Sequence, residues 1–417
     1  MTSLMTNTSS MVALQTLRSI NSNLDQTNNR VSTGLRVNSA SDNAAYWSIA
    51  TTTRSDNGAL GAVKDSLGLA KSSVDTVNTG LDTVRNALQK VKEKLITAAS
   101  PDADRAKLQT EIGSLLSALK NNAESTVISG SNWLSVDSSE ANYNATKAVV
   151  ASFSRTGDSV QVDTIDIDTS TFKLLDKNAT VHTAVDAAVT TSSATYATAK
   201  TTAETAYTTA STAATTAYDT AIGSADTTFA GSAMDAAAVA ARDAAYATAT
   251  NTRDAAIATA DTAKTTALDG AVLALSNSLD ASGTDSLGIL DKSRVAATAN
   301  GTATVSSIMD IDISGLTSSQ DDLDQIANYT SIVDAALTDL TDASTSLGST
   351  ASRIESQTNF VQALQDANNR AIGALVDANM EEESTKLKAL QTQQQLAVQS
   401  LGIANSSSQS VLSLFRG

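Results

Sequence analysis

The sequence predicts a mainly α-helical protein. We expect a long antiparallel helical bundle, or coiled coil, formed by the N- and C-terminal parts, with an outer domain inserted between them. Three observations support this fold class. Apolar residues repeat in steps of three and four on both sides of the middle of the chain. The 417 residues include one proline, and hydrophobic residues make up 41% of the chain but aromatic residues 3%. Alanine and leucine with so little proline favour long helices.

The most regular pattern lies between residues 56 and 98. Its apolar positions alternate steps of three and four over about five heptads, which is typical of a helix that packs lengthwise on another helix. Ser100-Pro101 predicts its end, because proline lacks an amide donor and disfavours helical geometry in the residue before it. The pattern consists of Leu60, Val63, Leu67, Ala70, Val74, Val77, Leu81, Val84, Leu88, Val91 and Leu95.

A second helix is predicted to begin at Asp102, with Leu108, Ile112, Leu115 and Leu119 on one face. The same rhythm of threes and fours returns far along the chain. Two long apolar stripes each need a partner, and burial against each other is the simplest solution. The C-terminal stripe consists of Leu323, Ile326, Thr330, Val333, Leu337, Leu340, Ser344, Leu347, Ala351, Ile354, Thr358 and Val361.

The two ends of the chain repeat this arrangement on a smaller scale. Two short helices pair poorly on their own, because nucleation and chain entropy oppose them. We therefore expect these ends to become ordered only when further copies of the chain supply the missing apolar surface. The positions are Leu14, Leu17, Ile20, Leu24 and Val31 at the N-terminal end, and Leu387, Leu390, Ala397, Leu401, Ala404, Val411 and Phe415 at the C-terminal end.

The middle of the chain has other periods. Residues 146–168 alternate apolar and polar side chains around a Gly-Asp turn, which predicts short strands, and residues 303–313 predict a returning strand. Between them, Ala/Thr-rich sequence repeats every eleven residues. Two registers that break near Ala230-Gly231-Ser232 predict a helical hairpin. The repeating positions are Tyr196, Tyr207, Tyr218 and Phe229, and then Tyr246, Ile257, Leu268 and Leu279.

Composition excludes several function classes. The chain has no cysteine, one histidine (His182) and a formal net charge of −16. A disulfide framework, a thiolate zinc site and a two-histidine zinc site are therefore impossible. The negative charge argues against nucleic-acid binding, which needs basic surface. Apolar runs are far too short for a membrane span, and residues 1–30 do not resemble a secretory signal. We predict no enzyme activity, no cofactor and no metal site.

The acidic clusters have ordinary structural interpretations. Asp166-Ile167-Asp168 and Asp310-Ile311-Asp312 could be offered as metal ligands, but alternation on two strands explains them better. Asp321-Asp322-Leu323-Asp324 is interpreted as a helix start, where acidic residues meet the positive end of the dipole. Glu381-Glu382-Glu383 either forms a solvated face or sets contacts between subunits.

Both ends of the chain resemble one family. Ser32-Thr33-Gly34-Leu35-Arg36-Val37-Asn38-Ser39-Ala40, continuing to Asp42-Asn43-Ala44-Ala45, closely resembles the N-terminal signature of bacterial flagellins. Tyr46-Trp47-Ser48-Ile49-Ala50 and the C-terminal LVDANMEEESTKLKALQTQQQLAVQSLGIANSSSQSVLSLFRG resemble flagellins of rhizobia and related alphaproteobacteria. The resemblance covers about residues 1–142 and 314–417.

The resemblance implies a structural subunit that self-assembles into the flagellar filament and serves motility. It also implies a secreted, extracellular location reached through type III flagellar export. The implied partners are further copies of the chain, other flagellins, an export chaperone, the filament cap and hook-junction proteins. The implied domains are an inner-core helix (1–43), a shell bundle in two parts (44–142 and 314–375), a variable outer domain (143–313) and a second inner-core helix (376–417).

The resemblance further assigns roles by position. Ser32–Ala45 corresponds to the turn from the inner helix into the shell. The inner-core assembly seam is then Leu14, Leu17, Leu24, Val31, Leu387, Leu390, Leu401, Val411 and Phe415. The shell bundle seam is Leu60, Val63, Leu67, Val74, Val77, Leu81, Val84, Leu88, Leu337, Leu340, Leu347, Ile354 and Val361.

Three other hypotheses can be compared with this one, of which two remain open. A hook–filament junction protein shares coiled-coil ends with flagellin. A secreted coiled-coil adhesin or effector is compatible with the long helices but lacks the terminal signatures. A flagellin that carries a zinc peptidase would require an HExxH motif, which one histidine cannot supply.

Overall fold

The computed structural model describes residues 7–128, 130–156, 159–231 and 235–414, with side chains up to residue 406. It confirms the predicted fold class, because long helices dominate it and a few short strands lie in the central region. The helices are α1 (Thr8–Thr33), α2 (Ala44–Ala98), α3 (Arg105–Ser125), α4 (Ala179–Phe229), α5 (Ala236–Ala281), α6 (Gln320–Val376) and α7 (Met380–Leu414).

The strands form small two-stranded sheets rather than one large sheet. β1 (Val127–Ile128) pairs with β2 (Ser131–Asn132), and β3 (Ser135–Val136) runs parallel to β6 (Leu175–Asp176). β4 (Thr146–Thr156) pairs with β5 (Ser159–Asp168), and β7 (Arg294–Ala297) pairs antiparallel with β8 (Ala303–Ser306).

The contacts divide the chain into two compact units. One unit comprises residues 1–69, 150–165 and 354–417, and the other comprises residues 70–149 and 166–353. The first unit therefore contains the terminal helices α1 and α7 together with most of β4 and β5. The second contains α3, the hairpin of α4 and α5, and the remaining strands. None of the described helices combines the length and apolar character that a membrane crossing requires.

Helices α2 and α6 pair in antiparallel fashion within each unit. In the first unit, the Asn57 side-chain amide donates to Asn369 Oδ1 at 2.7 Å, and Lys64 Nζ donates to Gln362 Oε1. A step of seven residues toward the C-terminus of α2 thus corresponds to a step of seven residues toward the N-terminus of α6, so the two helices are antiparallel. In the second unit, Lys92 forms an ion pair with Asp334 at 2.6 Å.

The apolar stripe of α2 is buried throughout, and that of α6 is buried in part. Every position of the α2 stripe from Leu60 to Leu95 is at most 5% exposed. On α6, alternate positions of the stripe are buried and half-buried. Buried Tyr329, Ile332 and Ala336 widen this stripe, because β7 and β8 cover a second side of α6 there. The buried positions of the α6 stripe are Ile326, Val333, Leu340, Leu347, Ile354 and Val361, and Leu337 is half-buried.

One helix prediction needs correction. Helix α2 contains the whole regular pattern of residues 56–98 and begins twelve residues before it, at Ala44. α3 is capped by Asp104, whose carboxylate accepts from the Lys107 amide, so Asp102 does not open it. Its inner face carries Ile112, Leu116 and Leu119, whereas Leu108 and Leu115 are half-buried.

The strand prediction for residues 146–168 is confirmed by β4 and β5, although the Gly157-Asp158 turn lies outside the described residues. The prediction for residues 303–313 is wrong beyond residue 306. There the chain turns, and Ile308, Ile311 and Ile313 are buried without being in a strand. Asp310 and Asp312 are exposed, as expected, but not by strand alternation.

Helices α4 and α5 form the predicted hairpin, and Gly231, with φ of +83°, ends its first arm. Tyr196, the first of the predicted aromatic positions of α4, is buried, and so is a line of small residues on the same helix. Ser192, Ala203, Ala214 and Ala225, eleven residues apart, are buried, so the two helices approach closely. The aromatic positions flank this small-residue line, and Tyr207, Tyr218 and Phe229 are half-exposed.

Cations of α5 cover two of these aromatic rings. The Lys264 ammonium lies 4.7 Å from the centre of the Tyr207 ring, and the Arg253 guanidinium lies 4.6 Å from that of Tyr218. The two rings lie eleven residues apart along α4, and the two cations lie eleven residues apart along α5, which runs in the opposite direction. These contacts therefore fix the register of the hairpin. The sequence analysis missed the basic partners, although the repeats that contain Arg242, Arg253 and Lys264 display the same period.

A polar network, which we call the neck, joins the segments that enter and leave the hairpin. Lys173 Nζ donates to Asp176 Oδ2 at 2.6 Å and to the Ser286 carbonyl at 2.5 Å. The Asp176 amide donates to Asp291 Oδ2 at 2.8 Å, and Nε2 of His182 lies 2.6 Å from the Asp176 carbonyl oxygen. His182 is thus a half-exposed structural residue.

Candidate assembly interface of the terminal helices

The terminal helices α1 and α7 pack against each other in antiparallel fashion. Near the free end of the pair, the Asn7 side-chain amide donates to the Ala404 carbonyl at 3.0 Å. At the middle, the Gln394 amide donates to Asn21 Oδ1 at 2.7 Å. Each contact joins an early residue of one helix to a late residue of the other, so the two ends of the chain are held side by side.

The predicted inner-core seam lies along this pair but is incompletely covered. Leu14 is 39% exposed, and Leu17, Leu24 and Val31 on α1 are half-buried. On α7, Leu390 is buried, whereas Leu387 and Leu401 are half-buried. The side chain of Val411 and all of Phe415 lie outside the described residues. The same heptad spacing that buries Leu60–Leu95 completely therefore leaves α1 and α7 with open apolar surface.

Two polar residues occupy seam positions that apolar residues fill elsewhere. Thr27 follows Leu24 by three residues and is almost completely buried. Glu383 precedes Leu390 by seven residues, is buried, and forms an ion pair with Arg30 at 3.0 Å. Of the cluster Glu381-Glu382-Glu383, the first two residues are solvated, as one of the two interpretations expected, but Glu383 is not. The heptad spacing was the signal that would have placed Thr27 and Glu383 in the seam.

Exposed apolar side chains extend the open surface of the pair. Met11 and Val12 on α1, and Leu396, Val398 and Ile403 on α7, are all more than half exposed. A helix pair with apolar residues on several faces has more apolar surface than one partner can cover. Large apolar side chains left exposed in such numbers are a feature of surfaces that contact another molecule.

The segment between α1 and α2 forms a short, ordered junction. Gly34 ends α1 with φ of +72°, and its amide donates to the Arg30 carbonyl at 2.9 Å. Leu35 then bridges to Asp377 in antiparallel fashion, and the Ala378 amide donates to the Gly34 carbonyl at 2.9 Å. The signature Ser32–Ala45 is thus a turn that ties the ends of α1 and α6 to the start of α7.

A loop closed by Asp42 leads into α2. The amides of Asn38 and Ser39 both donate to Asp42 Oδ2, at 3.1 and 2.9 Å. The bond from the Ser39 amide, followed by that from its hydroxyl, lowers the pKa of Asp42 below its ordinary value. Asn43 then caps α2, because its Oδ1 accepts from the Tyr46 amide at 3.1 Å.

A small apolar cluster holds the junction together. Val37 and Ala50 pack with Ile372 and Val376, and the amides of Arg36 and Val37 both donate to the Val376 carbonyl. The sequence analysis assigned this turn by resemblance alone and did not foresee its bridge to residues 375–378. No periodic pattern in the sequence predicts this bridge, because Leu35 and Asp377 are more than 300 positions apart and neither lies in a helix.

The described residues contain no group of histidine, cysteine or acidic side chains that could hold a metal ion. Two open concavities along α4 are lined by alanine and threonine. The open seam of α1 and α7 is the candidate functional site that the burial pattern supports best.

Comparisons with known proteins match this arrangement. The bacterial flagellin N-terminal helical region matches residues 4–138, and the bacterial flagellin C-terminal helical region matches residues 330–415. Flagellin A of Rhizobium meliloti is 41% identical over 420 residues, and Flagellin C of Rhizobium meliloti (strain 1021) is 36% identical over 417 residues. Flagellin of Brucella melitensis biotype 1 is 32% identical over 420 residues. Each alignment covers the whole of both chains.

These matches confirm the resemblance that the terminal signatures indicated. The alignments with the full-length relatives also extend through the central region, which the two helical-region families do not cover. They favour a filament subunit over the junction-protein and adhesin hypotheses. The chain belongs to the bacterial flagellins, and it is a structural subunit that polymerises with itself into the extracellular filament of the flagellum and serves motility.

Proposed function

We propose that α1 and α7 supply the contacts between subunits in the filament, whereas α2 and α6 hold each subunit together. The observation that carries this division is the difference in burial between two seams with the same spacing. Leu60–Leu95 is complete within one chain, while Leu14, Leu17, Leu24, Val31, Leu387 and Leu401 keep open surface. Full burial of a leucine or valine stabilises by about 1.5–3 kcal/mol, so the open seam retains a substantial part of this free energy for assembly.

The proposal assigns the domains in the same way. Residues 1–43 and 376–417 form the inner core of the filament, residues 44–142 and 314–375 form the surrounding shell, and residues 143–313 form the outer domain. A contact that repeats head to tail without closing into a ring builds an open helical polymer. The further partners proposed are an export chaperone, the filament cap and hook-junction proteins, each of which would meet the same terminal helices.

Substitution of Leu401 tests the assignment directly. Leu401→Asp places a charge in the half-buried part of the seam, where a second copy would have to bury it. We expect no filaments by electron microscopy after precipitant-induced polymerisation, while circular dichroism shows an unchanged thermal transition of the α2/α6 bundle. Leu401→Met keeps volume and apolar character, so this matched control should polymerise.

Leu24→Asp provides the same test from α1. If either aspartate variant forms normal filaments, the terminal seam is not the assembly contact. If both variants lose the thermal transition of the monomer, the seam belongs to the fold of the single subunit instead. The methionine control separates these results from a general sensitivity of the terminal helices to substitution.

A further inference from the structure

The two arms of the hairpin share one eleven-residue period. On α4 an aromatic residue stands at every eleventh position from Tyr196 to Phe229, and the line of small buried residues on the same helix has the same spacing. Eleven residues complete about three turns of a helix, so each unit of eleven returns its side chains to nearly the same face. On α5 the period is carried by basic residues and then a leucine, at Arg242, Arg253, Lys264 and Leu275.

The two arms face each other in one constant register. Tyr207 lies 4.7 Å from Lys264, and Tyr218 lies 4.6 Å from Arg253, so consecutive units repeat the same contact at nearly the same distance. This register places the small buried residues of α4 opposite large residues of α5, an arrangement that fills the space between two helices at every level. The large residues are Leu279, Leu268, Ile257 and Tyr246, opposite Ser192, Ala203, Ala214 and Ala225 in that order.

The base of the hairpin is held in a different way from the units beyond it. The Tyr196 side chain is buried at the base, where its hydroxyl donates to the Gly301 carbonyl and accepts from the Ala303 amide at 3.1 Å. Further out, the contacts between aromatic rings and cations, and the bond from the Tyr246 hydroxyl to Asp226, join α4 to α5. Each outer unit of one arm therefore has its partner in the other arm.

From this repetition we infer that the hairpin is a spacer built from interchangeable eleven-residue units, whose length is set by the number of units matched between the two arms. Helix α4 has 51 residues and therefore extends about 75 Å at 1.5 Å per residue. One unit contributes about 16 Å of this length. The spacer holds the turn at its far end at a defined distance from the neck, and it does so without depending on the contacts of α1 and α7.

A matched deletion tests whether the units are interchangeable. Deletion of residues 208–218 together with residues 253–263 removes one unit from each arm and leaves Tyr207 opposite Lys264. We expect a cooperative thermal transition by circular dichroism, with the helical signal lowered only by the residues removed. Trypsin should cleave this variant at Arg242, near the turn, within about twofold of the rate for the natural chain, because that part of the arm stays paired.

A second matched deletion is the control for the period. Deletion of residues 208–216 together with residues 255–263 also shortens both arms equally, but by nine residues each. Nine residues make about two and a half turns, so the side chains beyond the deletion turn to the opposite face of each helix. We expect trypsin to cleave this variant at Arg242 at least about tenfold faster than the natural chain, with a loss of helical signal beyond the residues removed.

Either variant can overturn the inference. Fast cleavage of the eleven-residue variant at Arg242 would show that the units are not interchangeable. Resistance of the nine-residue variant would show that the eleven-residue period does not hold the arms together. Resistance of the first variant together with fast cleavage of the second is the result that the spacer requires.

Discussion

At the scale of single residues, two glycines show different constraints on the chain. Gly34 needs its left-handed φ of +72°, although a Cβ atom there would meet nothing within 4 Å. Gly288 has an ordinary φ, but a Cβ atom there would lie 2.3 Å from the Leu174 backbone, where the two segments of the neck touch. Glycine is required at position 34 because of the backbone conformation, and at position 288 because two segments of the chain approach closely.

Substitution of Gly34 tests the first constraint. Gly34→Ala should lower the stability of the junction by about 1 kcal/mol, because an L-residue in the left-handed region is strained. Gly68→Ala is the matched control, since Gly68 lies within α2 with open space around it. It should raise stability by about 0.5–1 kcal/mol through helix propensity. Thermal unfolding followed by circular dichroism measures both, and a stabilising Gly34→Ala would contradict the structural assignment.

The neck predicts a pH dependence of stability. Burial, opposed in part by the bond from the Asp176 amide, raises the pKa of Asp291 to about 6. The charges of Asp176 and Asp310 also raise this pKa, whereas the facing His182 lowers it. A raised pKa means that the folded state takes up a proton that the unfolded state releases. The stability contributed by this group is therefore present at low pH and is lost as the pH rises through about 6.

Asp291→Asn should remove this dependence, because asparagine keeps an acceptor for the Asp176 amide without a charge. Between about pH 4.5 and 7 we expect the natural chain to lose about 2 kcal/mol of neck stability and the variant to stay nearly level. The free energy of unfolding by denaturant, determined at several pH values for both proteins, measures this pH dependence. His182→Gln is the control, and a flat profile in that variant would assign the proton to the imidazole instead.

At the scale of elements, the hairpin depends on small residues facing each other. Ala214 is buried between α4 and α5, whereas its neighbour Ala213 is exposed. Ala214→Leu should destabilise the hairpin by about 1–3 kcal/mol, because the added carbons have no space between the helices. Ala213→Leu should change stability by less than about 0.5 kcal/mol. Comparable losses in both variants, measured by denaturant unfolding, would show that the helices are not closely packed.

The seam of α2 allows a similar comparison. Leu81 is fully buried, and Thr83 two residues later is exposed. Leu81→Asp should unfold the bundle in the monomer, since it places an unpaired charge in an apolar seam. Thr83→Asp carries the same charge on the exposed side and should keep a cooperative thermal transition close to that of the natural chain. An unchanged melting curve for Leu81→Asp would contradict the bundle.

The elements that could be predicted are those in which burial repeats with the helix period. The α2 seam, the α6 stripe and the hairpin fall in this class. Residues 303–313 were misjudged because alternating apolar residues also fit an irregular segment whose isoleucines are buried individually. Leu115 was chosen over Leu116 because two adjacent leucines fit the period almost equally well. The neck and the junction stayed hidden, since their contacts join segments far apart in sequence with no shared pattern.

At the scale of the whole molecule, one spacing serves two purposes. The apolar heptad positions of α2 and α6 are covered within the same chain, whereas those of α1 and α7 remain partly exposed. The sequence indicated both seams and predicted that the terminal ones become ordered with further copies of the chain. It could not locate the Arg30–Glu383 ion pair or the exposed Tyr46, Trp47 and Ile49, because neither follows from periodicity alone. The division of labour between the seams is the central claim for this flagellin.

Amide hydrogen exchange in the monomer and in the filament tests this claim most directly. In the monomer, amides of residues 60–95 should exchange slowly and those of α1 and α7 at least about a hundredfold faster, because the terminal pair lacks a complete apolar cover. In the filament, α1 and α7 should become as protected as residues 60–95, whose exchange should hardly change. Strong protection of α1 and α7 already in the monomer, or continued fast exchange in the filament, would contradict the account.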